Sequence, residues 1–145
     1  MNKQSKNICI HVCDDNPVAI EEAIKITKDL LNEEGLAAEI ITYKDGNQFT
    51  ERYKERKDEL IILDIEMPGK SGLDILKEFE THCKNNRVIL LTAYDNLTFF
   101  NFGTIFHCYH ISCMNSDKPF ASQLKFIISQ ILSNLYATTI FQINV

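Results

Sequence analysis

Residues 59–76 read ELIILDIEMPGKSGLDIL. Leu60 to Leu63 form a short apolar run without alternation, the pattern of a strand covered on both faces. Asp64 therefore stands at a strand's carboxyl end, where open α/β sheets keep their chemistry because only the strand ends open into a crevice. Pro68 and Gly69 turn the chain, and Ser71 suits the N-cap of a helix whose apolar positions Leu73, Leu76 and Phe79 recur at helical spacing.

The same grammar repeats on either side. Asn7 to Val12 (NICIHV) reads as a buried strand that runs into Cys13, Asp14 and Asp15, so two more carboxylates stand at a strand end. Asn16 and Pro17 then supply an N-cap and an N1 proline. Ile20, Ala23, Ile24, Thr27, Leu30 and Leu31 make one apolar stripe, and Gly35 is the stop. Ala38 to Tyr43 is a second strand, followed by a charged helix expected over Gly46 to Lys57 with Phe49 and Tyr53 on its inner face. Arg87 to Leu91 is a fourth buried strand ending in Thr92, and Asp95 or Asn96 can cap the next helix. A fifth strand is placed near Cys108 to Met114, and a final helix from Pro119 to about Tyr136, ahead of an apolar tail. Strands alternating with helices require crossover connections and a parallel sheet. The fold class is doubly wound α/β.

A chain of 145 residues makes one domain and buries about two thirds of its unfolded surface. At 45% hydrophobic and 24% charged residues, its composition is that of an ordinary globular protein. A net charge of -5 argues against a nucleic-acid surface, which needs clustered Lys and Arg. No apolar run approaches a membrane span and the N-terminus lacks the apolar core of a signal peptide, so a cytoplasmic protein with no membrane partner is expected. The five cysteines are odd in number and scattered, which favours reduced thiols. Cys108 and Cys113 beside His107 and His110 read as core rather than as a metal set.

The block LDIEMPGKSG, with Asp14-Asp15 before it and Lys118-Pro119-Phe120 after it, resembles a CheY-like response-regulator receiver domain. Its wording is most similar to receivers of LytTR-type regulators (the AgrA and LytR kind). The resemblance covers roughly residues 7 to 136, and it implies a flavodoxin-like (βα)5 sandwich with a parallel five-stranded sheet of order 2-1-3-4-5. That order sets Asp14 and Asp15 beside Asp64. The resemblance further implies that Asp64 accepts a phosphoryl group from a sensor histidine kinase. Mg²⁺ would be held by Asp15, Asp64 and the backbone carbonyl of Glu66, with Asp14 acting through water. Thr92 would reach the phosphoryl oxygens and report them to the output face, and Lys118 would pair with the acidic cleft.

One departure stands out. Thr92 and Lys118 are 26 positions apart, more than such domains usually show, so either Lys118 or His110 takes the lysine position. The same shift hides the switch aromatic, for which Tyr109 is the nearest tyrosine. Residues 1–136 are expected to be the receiver and 137–145 a tail or the start of a linker to an effector domain. A homodimer formed on phosphorylation, transcriptional output, and DNA contact only through an effector outside this chain complete the expectation. The domain is read as a phosphoacceptor and not a turnover enzyme. Two other readings stay open: a phosphorylation-independent interaction module, and a Mg²⁺-dependent aspartyl phosphatase of the haloacid dehalogenase type. The second of these wants an aspartate where Glu66 stands.

Overall fold

The computed structural model describes residues 8–79, 87–92, 108–112 and 120–143. Five strands, β1 (Ile8–Cys13), β2 (Ala38–Tyr43), β3 (Glu59–Asp64), β4 (Arg87–Thr92) and β5 (Cys108–Ser112), form one sheet in the order β2-β1-β3-β4-β5. Every neighbouring pair is parallel. The described helices are α1 (Pro17–Glu33), α2 (Gly46–Arg52), α3 (Gly72–Phe79) and α4 (Phe120–Ile143). This is the expected flavodoxin-like arrangement. The helix expected from Asp95 or Asn96 lies outside the described residues, as do Lys118 and Met114.

Two cores flank the sheet, because successive strand residues point to opposite faces. Ile8, Ile10 and Val12 of β1 join Leu60 and Ile62 of β3 under α1 and α4, where Ala23, Leu30, Leu31, Leu124, Ile128 and Ile131 close the layer. On the other face Cys13, Tyr43, Ile61, Leu63, Val88 and Leu90 pack with Phe49 of α2 and Ile75 and Leu76 of α3. Covering on both faces explains the uninterrupted apolar strands.

Helix ends follow local chemistry. The Asn16 side chain accepts from the Val18 N–H at 3.0 Å and Pro17 opens α1. Gly35, at φ 66°, ends it, with Leu36 N–H donating back to the Leu31 carbonyl at 2.8 Å. Ser71 caps α3 reciprocally: its Oγ accepts from Asp74 N–H at 3.2 Å, while its own N–H donates to the Asp74 carboxylate at 3.0 Å. That pair holds the exposed Asp74 carboxyl below its usual range.

Two helix lengths differ from the sequence expectation. α2 stops at Arg52 instead of continuing to Lys57, because Tyr53 turns extended (φ -63°, ψ 130°) and the Arg56 N–H donates to Glu59 Oε1 at 2.6 Å. Lys54, Glu55, Arg56 and Lys57 offer no apolar face to extend the helix over. α4 continues past Tyr136 to Ile143. No Gly or Pro interrupts 137–143, and β-branched residues cost a helix only tenths of a kcal/mol each.

Candidate functional site

The carboxyl ends of β1, β3 and β4 lie side by side, since Cys13 is in register with Leu63 and Asp64 with Leu91. Asp14 and Asp15 follow β1, Asp64 closes β3, and Thr92 closes β4. Each of the three aspartates offers a carboxylate oxygen within 4.8 Å of the others. Asp14 is buried, Asp64 half-buried and Asp15 exposed.

Backbone donors orient two of them. Asn16 N–H donates to Asp14 Oδ1 at 2.9 Å, and Glu66 N–H donates to Asp64 Oδ1 at 3.2 Å. Asp14 N–H in turn donates to the Tyr43 carbonyl at 3.2 Å, which ties the β1 loop to the end of β2. Below Asp64, Gly72 N–H donates to the Ile65 carbonyl at 3.0 Å, so the first turn of α3 sits directly against the end of β3. Beside the loop, Cys13 Sγ lies 3.6 Å from Met67 Sδ and donates weakly to the Asp45 carbonyl at 3.5 Å. Burial pushes that thiol up to about 12, and Asp14 adds to the effect, so it is no nucleophile.

The aspartates crowd one another. Burial, and then the charge of Asp14, push the Asp64 carboxyl up to about 7 against the pull of the Glu66 N–H. Asp14 is raised too, chiefly by burial. Hard oxygen donors with mutual repulsion are what a small divalent cation neutralises. By donor type and charge, the set fits Mg²⁺.

The strands thus bring together Asp14, Asp15 and Asp64, with the Glu66 backbone beside them. Thr92 is placed at the same edge through its backbone. His110 lies opposite Leu90, inside β5 and two positions before Ser112, the partner of Thr92. What sequence reasoning missed lies behind the site: His11 and Glu59, both buried, next to Tyr43. The one available signal was a histidine inside the otherwise apolar run NICIHV.

Residues 10–104 match the response regulator receiver domain. This chain belongs to the response-regulator receiver family.

The receiver is 31% identical over 96 residues to the transcriptional regulatory protein HptR of Staphylococcus aureus (strain NCTC 8325 / PS 47), covering 66% of this chain and 36% of HptR. It is 48% identical over 44 residues to sporulation initiation phosphotransferase F of Bacillus subtilis (strain 168), covering 30% of this chain and 35% of that protein. The receiver therefore spans just over a third of the curated relatives it matches. Among solved structures, response regulator TrrA from Thermotoga maritima, crystallised in complex with Mg²⁺-BeF, superposes with a TM-score of 0.60 at 32% identity over 85% of this chain and 97% of its own. CheY4 of Vibrio cholerae shares the fold at a TM-score of 0.66 and 15% identity, over 87% and 99% of the two chains. No helix among the described residues is long and apolar enough to cross a membrane.

Proposed function

We propose that this receiver is switched by phosphorylation of Asp64, with Mg²⁺ held by Asp15, Asp64 and the Glu66 carbonyl and reached by Asp14 through water. The observation that carries the reading is the gathering of three carboxylates, one of them driven up to about 7, at the carboxyl ends of adjoining strands. The TrrA complex with Mg²⁺-BeF supports it. Bound there, Mg²⁺ would supply positive charge against the oxygens of the transferred group. The Asp64 carboxylate attacks phosphorus in line, an O–P bond forming as the P–N bond to the donor imidazole of a sensor histidine kinase breaks. The kinase histidine leaves, and an aspartyl phosphate remains. Thr92 accepts the role of reporting the phosphoryl group. Lys118 takes the role of counter-charge in preference to His110, whose register places it within a strand.

The output reading is also ours. Residues 1–136 act as the receiver and 137–145 as a tail or the start of a linker to an effector domain, through which any DNA contact would pass. Transcriptional output is suggested by relatives such as HptR. Placement among LytTR-type regulators rests on the LDIEMPG wording alone and gains nothing from these relatives, so the receiver class is proposed without that subdivision. The family match leaves the phosphatase reading without support.

Intact-mass spectrometry after incubation with acetyl phosphate tests the reading. One added phosphoryl group with Mg²⁺, and none with EDTA, is expected. No addition in either condition would transfer the assignment to a phosphorylation-independent interaction module. Phosphorylation should also shift size-exclusion elution toward a homodimer, and an unchanged elution volume in the phosphorylated sample would contradict that part.

A further inference from the structure

His11 is 1% exposed, on the β1 face covered by α2. Its Nδ1 lies 2.9 Å from the Tyr43 hydroxyl, a hydrogen bond in which the hydroxyl donates to a bare Nδ1 or accepts from a protonated one. Its Nε2 is 3.4 Å from Glu59 Oε1 and 3.4 Å from Cys9 Sγ. Glu59 is 3% exposed and accepts from the Tyr53 hydroxyl and the Arg56 N–H. Tyr43, Phe49 and Tyr53 surround the imidazole at ring-centroid distances of 5.0 to 6.3 Å. Burying such groups costs free energy that an apolar side chain at position 11 would avoid. The gain must come from what they hold.

What they hold is the end of β2. Tyr43 is fastened at both ends, its hydroxyl to His11 and its carbonyl to the Asp14 N–H at 3.2 Å. Two residues after His11, Cys13 reaches the Asp45 carbonyl. The carboxyl ends of β1 and β2 are thus laced at three points, and Asp14 hangs from the one at the Tyr43 carbonyl.

We propose that His11 and Tyr43 are positioning residues for Mg²⁺: their hydrogen bond fixes Tyr43, and Tyr43 fixes the backbone that presents Asp14. The proposal rests on the Mg²⁺ reading above. Neither residue touches the metal. Tyr53 provides the control, because its hydroxyl donates to Glu59 in the same cluster and so stands two links, Glu59 and His11, away from the Tyr43 hydroxyl.

The test is calorimetric titration of the full chain with MgCl₂ alone. Tyr43→Phe, which removes one hydroxyl and keeps the ring, should bind Mg²⁺ roughly tenfold more weakly, the low end for groups that orient a ligand without touching the metal. Tyr53→Phe should bind as the wild type does. Adding His11→Leu to Tyr43→Phe should weaken binding no further, since both changes break one hydrogen bond. If that double variant fails to fold, the two tyrosine variants still decide. Wild-type affinity in Tyr43→Phe, or equal weakening in Tyr43→Phe and Tyr53→Phe, would overturn the proposal. A wild type that binds no Mg²⁺ would overturn the functional reading first and this one with it.

Discussion

At pH 8 without divalent cations, Asp64→Asn is expected to unfold at a higher temperature than the wild type, and with acetyl phosphate and Mg²⁺ it should take up no phosphoryl group. The second outcome follows from loss of the nucleophile, the first from loss of a crowded charge. Burial and Asp14 raise the Asp64 carboxyl from the model-peptide value of 3.8 to about 7, so the folded chain binds this proton more tightly than the unfolded chain does. Between those values the folded state carries more protons, and stability falls as pH rises. Above about 7 the whole deficit is present; below about 4 it has gone. Asparagine keeps the shape and an acceptor for the Glu66 N–H while removing the charge. Half exposure trims the effect through solvent screening, leaving on the order of 1–2 kcal/mol, or about 5 °C for a chain of this size. The difference should be largest at pH 8 and vanish by pH 4. Mg²⁺ should narrow it by stabilising the wild type more, since only the wild type keeps all three carboxylates. A variant no more stable than the wild type at pH 8 would show that the carboxylates do not strain the fold.

Gly72→Ala is expected to destabilise the receiver by about 3 kcal/mol, measured by urea unfolding, and to weaken Mg²⁺ binding as well. A Cβ there would lie 2.3 Å from the Asp64 carbonyl oxygen and 3.0 Å from Ile65 Cα. Both are backbone atoms, so no flexible side chain can give way. Helix propensity favours alanine by about 1 kcal/mol, too little to offset the collision. Relief requires α3 to lift or the end of β3 to move, and the second course carries Asp64 away from Asp14. An equally stable variant would mean that α3 rides less closely on β3 than the Gly72–Ile65 hydrogen bond indicates.

Much of this was legible in the sequence because buried parallel strands announce themselves. Leu60 to Leu63 and Arg87 to Leu91 lie within strands, and the carboxylates after the first and third strands meet as the strand order requires. Ser71, Asn16 and Gly35 act at the helix ends through side-chain and backbone chemistry that is local, and local chemistry is readable. Tertiary contacts are less so. Even a near contact can escape: α2 ends early because Glu59, three residues on and buried at the start of β3, takes the Arg56 N–H. His11 read as one more core residue because its partners, Tyr43 and Glu59, come from strands on either side. α4 outran its expected end for lack of any breaker after Tyr136. The LytTR-like wording was a matter of a few loop residues, and loops carry less of the fold than the strands do.

The most direct measurement is to locate the phosphoryl group. After incubation with acetyl phosphate and Mg²⁺, borohydride reduces an acyl phosphate on aspartate to homoserine, and peptide mass spectrometry then reads the position. Homoserine at residue 64, and at neither 14 nor 15, is the result this account predicts. Homoserine at Asp14 or Asp15, or none at residue 64 in protein shown to be phosphorylated, would contradict it.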